Sequence, residues 1–488
     1  MADLTPLLKE VAGIYVDRAR DRLPDGSVWQ MTDWVPESLQ AGVRMRGRWT
    51  WQSVALSAGP DGMIYAPYST GSRLLSACGA SLYNIPLASV GGTAVGTIPA
   101  TKQNPVFHRN TVIIPAASGS SPAKRVTFDG TTFGFADEDA SALTGRYACV
   151  FKDRLVLGGS AGQPSRLAFS KVGNPAGAWD AISLFDTAYD LTGLAAQRTQ
   201  VLCFHASSVE RLRGTTPPDS TLTNQKGDMT LDVLFDRAGC YDARSIAAWN
   251  DNILFCDARG IFLTDGAVVR NVTDQAGMMN EWRLTFKRGG NPPLSVAGVV
   301  HQDYYLCCVR NSGYPPVTFV TDLPSRRMFK LSNIDATCFA FSIGTTEELY
   351  SCDTATKRVT YLTNMFVPDS TVLQIDDNST PVLPTISTGW SRLTKAEGFK
   401  RIHDMHVAYE AHRDDDVEVW RAFYTNAPSG IDQALGEFRT KNQYGRSKIA
   451  VRRRLPGFAT TLTQLVPTKD SRLYEISLRA YPEEPSRL

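Results

Sequence analysis

No stretch of this chain stays apolar for long enough to cross a bilayer as a helix. The sequence therefore predicts no membrane-spanning segment. Excess charge is also missing: 51 Lys and Arg stand against 49 Asp and Glu in 488 residues, a formal +2. That balance excludes a global electrostatic pull on nucleic acid. The nine cysteines include no CxxC pair and are odd in number. Several, such as Cys203 and Cys256, sit inside apolar runs, so they read as buried small hydrophobes in a reducing compartment, not as a disulfide framework. Histidine is scarce, and His403 and His406 are three apart on an alternating segment, so they face opposite ways and do not share a metal. GxSxG, the phosphate-binding GxxxxGK[ST] and HExxH are all absent. The sequence thus predicts no catalytic residue, no cofactor and no metal site.

What the chain does have is a repeat. At intervals of roughly 43 to 52 residues a polar residue precedes, two positions on, a pair of apolar ones. The anchors are Asp61, Asn110, Asp153, Thr199, Asp251, Asp303 and Glu347, and pairs such as Val112–Ile113 and Ile253–Leu254 follow them. Short strands and turns fill the intervals. After Asn110, Val112 to Ile114 is a strand, Arg125 to Phe128 a second, Asp129–Gly130 a hairpin turn and Thr132 to Phe135 a third. After Asp251 come Ile253 to Cys256, Ile261 to Thr264, a turn at Asp265–Gly266 and Ala267 to Val272.

A small twisted sheet of this kind cannot bury two apolar faces alone. Stacking such sheets around an axis buries each against its neighbour and leaves only short edges. The expectation is a β-propeller over 45–367, of seven blades, or six with an irregular insert if the weak anchors Thr199 and Glu347 fail. The apolar pair is expected in the innermost strand of each blade. Before it, residues 6–22 place Leu7, Leu8, Val11, Ile14 and Tyr15 on one helical face, which predicts a short N-terminal helix in a 1–44 extension. This N-terminus does not read as a secretory signal, so synthesis in a cytoplasm is expected. Trp29, Trp34, Trp49 and Trp51 are expected to lead into the first blade. A polar, turn-rich stretch at 368–382 marks a boundary. Beyond it, at 368–488, longer alternating segments such as KRIHDMHVAYE and RLYEISLRAY predict an antiparallel β-sandwich, making the whole chain all-β.

Three phrases go further: RLAFSKVGNPAGAWD at 166–180, GCYDARSIAAWNDNILFCDARGIFLTDG at 239–266, and STGWSRLTKAEGFKRIHDMHVAYE at 387–410. In this order the set resembles the β-propeller tail nozzle or tail hub proteins of short-tailed bacteriophages. The likeness lies in Gly173–Asn174–Pro175 with Trp179, in Gly239, Cys240, Ser245, Gly260, Ile261 and Phe262, and in Thr388, Gly389, Trp390, Lys400, Arg401 and Ile402. The resemblance implies a structural virion protein, made in the host bacterial cytoplasm and located in the tail. It implies identical copies in a hexameric ring below the head-to-tail adaptor ring, with tail fibre or other tail proteins as neighbours. The genome would pass along the channel without sequence-specific binding, held in after packaging and released at ejection.

Two charged clusters are candidate subunit contacts. Arg452 and Arg454 share one face of a predicted strand, and Asp414, Asp415 and Asp416 form an acidic run between two strands. A channel through which DNA slides gains nothing from tight phosphate binding. The arginines are therefore read as meeting carboxylates of another copy. The alternative function is a propeller that binds or hydrolyses carbohydrate. It would need convergent carboxylates in the central channel, and the Ser-x-Asp-x-Gly-x-x-Trp turns of propeller sialidases are absent.

Overall fold

The computed structural model describes residues 4–8, 28–36, 43–46, 48–87, 89–138, 144–173, 179–180, 182–222, 226–342, 347–353, 355–363, 376, 385–388, 391–392, 400–411, 419–425, 433–439, 444–455, 457–464 and 471–482. Almost all of the regular structure is strand. Seven antiparallel sheets form the blades of a propeller. Blade 1 opens with Gly62–Tyr68, blade 2 with Val106–His108, blade 3 with Tyr147–Phe151 and blade 4 with Gly193–Ala196. Blade 5 opens with Ala247–Trp249, blade 6 with Ser295–His301 and blade 7 with Phe339–Ser342. The chain supplies only three strands to blade 7 from its own neighbourhood. Thr50–Trp51 adds the fourth by pairing with Arg358–Tyr361, which closes the ring. The tryptophans at 49 and 51 thus lead into the last blade, not the first.

First strands of neighbouring blades lie side by side around the axis. The apolar pair of the repeat falls mostly in the second strand instead of this innermost one. Arg154–Gly158 and Gln200–Phe204 are buried at every position. The reason is geometric: a second strand has a hydrogen-bonded neighbour on both edges and a packed blade on both faces, so it reads as a continuous apolar run. Blade 1 is the exception, because Asp61 precedes its first strand.

Six anchors therefore mark the turn between first and second strands, and three of those turns share one geometry. In blades 2, 3 and 6 a two-residue turn joins the strands, at Arg109–Asn110, Lys152–Asp153 and Gln302–Asp303. Both residues of each have positive φ, between 46° and 66°. That is the type I′ turn, whose twist matches the strands it joins, and Asn and Asp tolerate the left-handed backbone it requires. Where the anchor is Thr199 the turn is also two residues, closed by Gln197 N donating to the Gln200 carbonyl, but neither Arg198 nor Thr199 has positive φ. The weak anchors mark different turns within the same ring.

The remaining strands form two further sheets. One has the order Trp34–Pro36, Val43–Met45, Ser471–Pro482, Lys400–Ala411, Tyr444–Leu455, with Leu4–Leu8 also on Ser471–Pro482. The other runs on from blade 6: after Arg327–Leu331 come Val28–Thr32, Thr385–Thr388, Gly457–Gln464, Val419–Thr425 and Gln433–Arg439. Met405, Val407, Ile449, Val451, Leu473 and Ile476 of the first share a core with Trp420, Ala422 and Leu462 of the second. Trp34 stacks on Trp420 with ring centres 5.8 Å apart. The segment before residue 46 thus supplies strands to both of these sheets. Residues 6–8 of the expected N-terminal helix are strand, paired with 476–477, and 9–22 lie outside the described residues. Pro6 is compatible with an edge strand, where its missing N–H costs no ladder bond. Ala267 to Val272 is also shorter than expected: the strand is Val269–Asn271, and Asn271 caps the helix Val272–Gln275 by accepting from Asp274 N. Among the described residues no helix is long and apolar enough to cross a membrane.

Candidate functional site: the two mouths of the channel and the interdomain junction

Turns between first and second strands ring one mouth of the channel, and the segments leading into each blade ring the other. On the turn side each blade reaches the anchor of the next. Ser69 N donates to Asn110 Oδ1 at 2.7 Å, and Arg109 Nε to Asp153 Oδ1 at 2.8 Å, with His108 Nε2 3.0 Å from the same oxygen. Gln197 Nε2 donates to the Asp251 carbonyl at 2.8 Å and Trp249 Nε1 to Asp303 Oδ1 at 2.7 Å, while His301 Nδ1 lies 4.0 Å from Glu347 Oε2. Asn110, Asp153 and Asp303 are polar for a reason: each accepts with its side chain from the preceding blade. Hydrogen bonds from Arg109 and then His108 hold the Asp153 carboxyl down at about 2.

One residue in from these turns, the first strands carry Pro67, Phe107, Val150, Ala196, Ala248, Val300 and Phe341 at equivalent register positions. All seven are apolar, and Phe341 is 40% exposed although it lies in an innermost strand. This mouth is an apolar collar inside a circle of polar turns.

The opposite mouth is charged. The lead into blade 5 contains the short turn Ala243–Ser245, capped by Asp242. Arg244 binds Asp242 through Nε at 3.0 Å and Nη2 at 2.7 Å, and the amides of Arg244 and Val296 donate to the same carboxylate. Burial alone would lower the pKa of Arg244, but Asp242 outweighs it, helped by Cys338 and Asp61, and the net shift is upward. Asp61 is raised by burial, and the nearby Arg244 opposes that rise. Arg244 interacts electrostatically with Asp61, just ahead of blade 1, with Cys338, just ahead of blade 7, and with Tyr147 of blade 3, so its charge is felt across this mouth. Gly239 belongs to this lead: a Cβ there would fall 1.9 Å from the His205 carbonyl oxygen, so only glycine fits.

The junction between propeller and sandwich rests on one buried cation. Arg46 is fully buried, with Nε 2.8 Å from Asp33 Oδ1 and Nη1 and Nη2 at 3.1 and 2.8 Å from the two Asp376 oxygens. Asp33 also accepts from Ser332 N and Oγ, and Asp376 from Trp49 N and Asn333 Nδ2. Burial works to lower the Arg46 pKa, but the two carboxylates more than reverse it. Beside this cluster a groove of about 430 Å³ is lined by Trp49, Pro315, Pro316, Asn333, Asp335 and Asp353, among others.

Of the sequence-predicted contacts, Arg452 and Arg454 lie in Tyr444–Leu455, at an edge of its sheet, with Arg454 opposite Arg401 in register. Asp414, Asp415 and Asp416 lie outside the described residues, as do Asn174, Pro175, Gly389 and Trp390. All nine cysteines are buried and unpaired. Among the described residues no group of three or more His, Cys, Asp or Glu could hold a metal ion. The Arg46 and Arg244 clusters escaped the sequence reading because their partners are far apart in the chain or hidden in an unremarkable turn. Asp376 sits inside the polar stretch read as a boundary.

No family model matches the chain, and no curated protein does. Among solved structures, a chain of the mitotic checkpoint complex is similar at 9% identity, over 67% of this chain and 95% of that one, with a TM-score of 0.41. The CNH domain of AfRom2 is similar at 9% identity, over 65% and 98%, with a TM-score of 0.37. An exo-β-1,3-galactanase from Phanerochaete chrysosporium is similar at 9% identity, over 89% and 100%, with a TM-score of 0.27. Similarities this distant carry no argument about what the chain does.

Proposed function

We propose that this chain is a structural tail protein of a short-tailed bacteriophage, a nozzle or hub subunit that rings the DNA channel. In this reading, identical copies, six in the implied hexamer, assemble below the head-to-tail adaptor ring, contact tail fibre or other tail proteins, retain the genome and take part in its ejection. The observation that supports it most is the way propeller and sandwich are joined. A continuous sheet runs from blade 6 into the sandwich, and the Arg46 cluster locks the two together. A part that bears load between neighbouring rings benefits from such a junction. The ordered phrases around Trp179, Cys240 and Thr388 support the same reading. Arg452 and Arg454 against Asp414, Asp415 and Asp416 of another copy remain the proposed ring contacts.

The test is reconstitution. Purified chain is mixed with the adaptor ring of its parent particle, and the complex is imaged by electron cryomicroscopy. The expected outcome is a stoichiometric collar of this chain on the adaptor. A chain that never binds the adaptor overturns the proposal. So does glycan turnover that disappears in Asp61→Asn, which would install the carbohydrate reading through the axial carboxylate.

A further inference from the structure

The circle of turns around the apolar mouth is electrically divided. Blades 2, 3 and 4 present Arg109, Lys152 and Arg198 at its turns, against the single carboxylate Asp153, which Arg109 and His108 already engage. Blades 5, 6 and 7 present Asp251, Asp303 and Glu347, and no Lys or Arg in the described part of their turns. His301 adds no charge at neutral pH, since burial lowers its pKa to about 4. The turn of blade 1, Ser69–Thr70, is neutral. Arg198, Lys152, Asp251 and Asp303 are all exposed.

We infer that this face docks on the same face of a second copy. Consider a two-fold axis lying in the plane of the face, passing through blade 1 and between blades 4 and 5. It sets blade 4 against blade 5 of the other copy, blade 3 against blade 6, and blade 2 against blade 7, with blade 1 on itself. Arg198 then meets Asp251, Lys152 meets Asp303 and Arg109 meets Glu347, each contact made twice by symmetry. The one neutral turn is the one that faces its own copy. Among these inner turns no cation meets a cation. At the centre the apolar collars meet, with Pro67, Ala248 and Phe341 the exposed members. An apolar middle inside a charged rim is the anatomy of a specific interface, and an isologous contact requires this kind of self-complementarity. The rim pairs fix orientation and are screened by salt, while the collar supplies apolar burial. This inference does not rest on the tail reading, since it uses only the charges and register of the turns.

The decisive experiment is charge reversal on the full chain, read by sedimentation equilibrium at low and high salt. Arg198 and Asp251 suit it because both are exposed and no described side-chain bond of either is lost. The expected result is a self-association at low salt that Arg198→Glu weakens at least tenfold, and Asp251→Lys likewise. The double variant, Arg198→Glu with Asp251→Lys, restores it to within about threefold. Circular dichroism and thermal melting of each variant establish that the fold is retained. If other faces build a larger ring, the quantity read is whether the mass of that assembly halves on reversal. Self-association indifferent to both reversals, or a chain monomeric at all concentrations and low salt, overturns the inference.

Discussion

The seams between blades and the junction between propeller and sandwich solve the same problem in opposite ways. Each seam is mainly apolar. Leu202, Phe204 and Phe255 are fully buried between blades 4 and 5, and Val156, Leu167 and Cys203 between blades 3 and 4. Their polar bonds at the turn face are few and peripheral. The junction places one fully buried guanidinium between two buried carboxylates. Apolar seams tolerate local damage, because each contact is one of many. A buried charge cluster does not, because removing one member strands the others without water.

The largest expected effect therefore lies at the junction. Arg46→Ala leaves Asp33 and Asp376 buried without their cation and should destabilise the protein by about 3–5 kcal/mol in urea unfolding. Arg46→Met combined with Asp33→Asn and Asp376→Asn should recover most of that loss. If Arg46→Ala costs less than an ordinary surface substitution, the contrast fails.

A seam has its own weakness, and it appears in acid. His301 is 2% exposed, at the end of the first strand of blade 6, and burial lowers its pKa from 6.5 to about 4. Between those values the unfolded chain binds a proton that the folded chain refuses. Stability from this residue is therefore full above about pH 6.5 and falls as pH drops toward 4, by on the order of 3 kcal/mol. Urea midpoints across that range should fall in the parent, and less steeply in His301→Phe. Arg46 does not titrate anywhere in that window, so its own charge contributes nothing to the slope. An equal slope in both proteins would remove His301 as the cause.

The smallest effect is at a turn. Asn110 has φ 61° and accepts from Ser69 N. Asn110→Ala should cost about 1 kcal/mol, while Asn110→Gly, which keeps the left-handed backbone, should cost less. Equal losses would mean that the bond across the seam matters and the backbone does not.

How much of this was legible beforehand follows from the same contrast. Seams repeat, so their pattern recurs in the sequence, and Val112, Leu155, Val201, Ile253 and Leu349 could be seen as one position. Which strand they occupied could not, because a doubly packed second strand and an innermost strand are both short apolar runs. The junction occurs once. Arg46 and Asp376 are 330 residues apart and neither belongs to a motif. The sandwich strand at 28–32 was hidden for the same reason, since its partners are at 330 and 385–388. The apolar face of 6–22 fitted a helix by periodicity, yet its first residues pair as a strand because an unpaired edge of Ser471–Pro482 was available.

The route of the chain through Thr50–Trp51 also sets a timetable. On the ribosome the N-terminal strands emerge first, but their partners are Arg358–Tyr361 and strands beyond residue 384. At ordinary elongation speeds that is a wait on the order of tens of seconds with strand edges unpaired. Blades 1 to 6 can stack as they appear, yet the ring cannot shut until Arg358–Tyr361 is made, nor the sandwich complete its sheets until Ser471–Pro482 follows. A product that stops before Arg358 is then an open ring with unpaired strand edges.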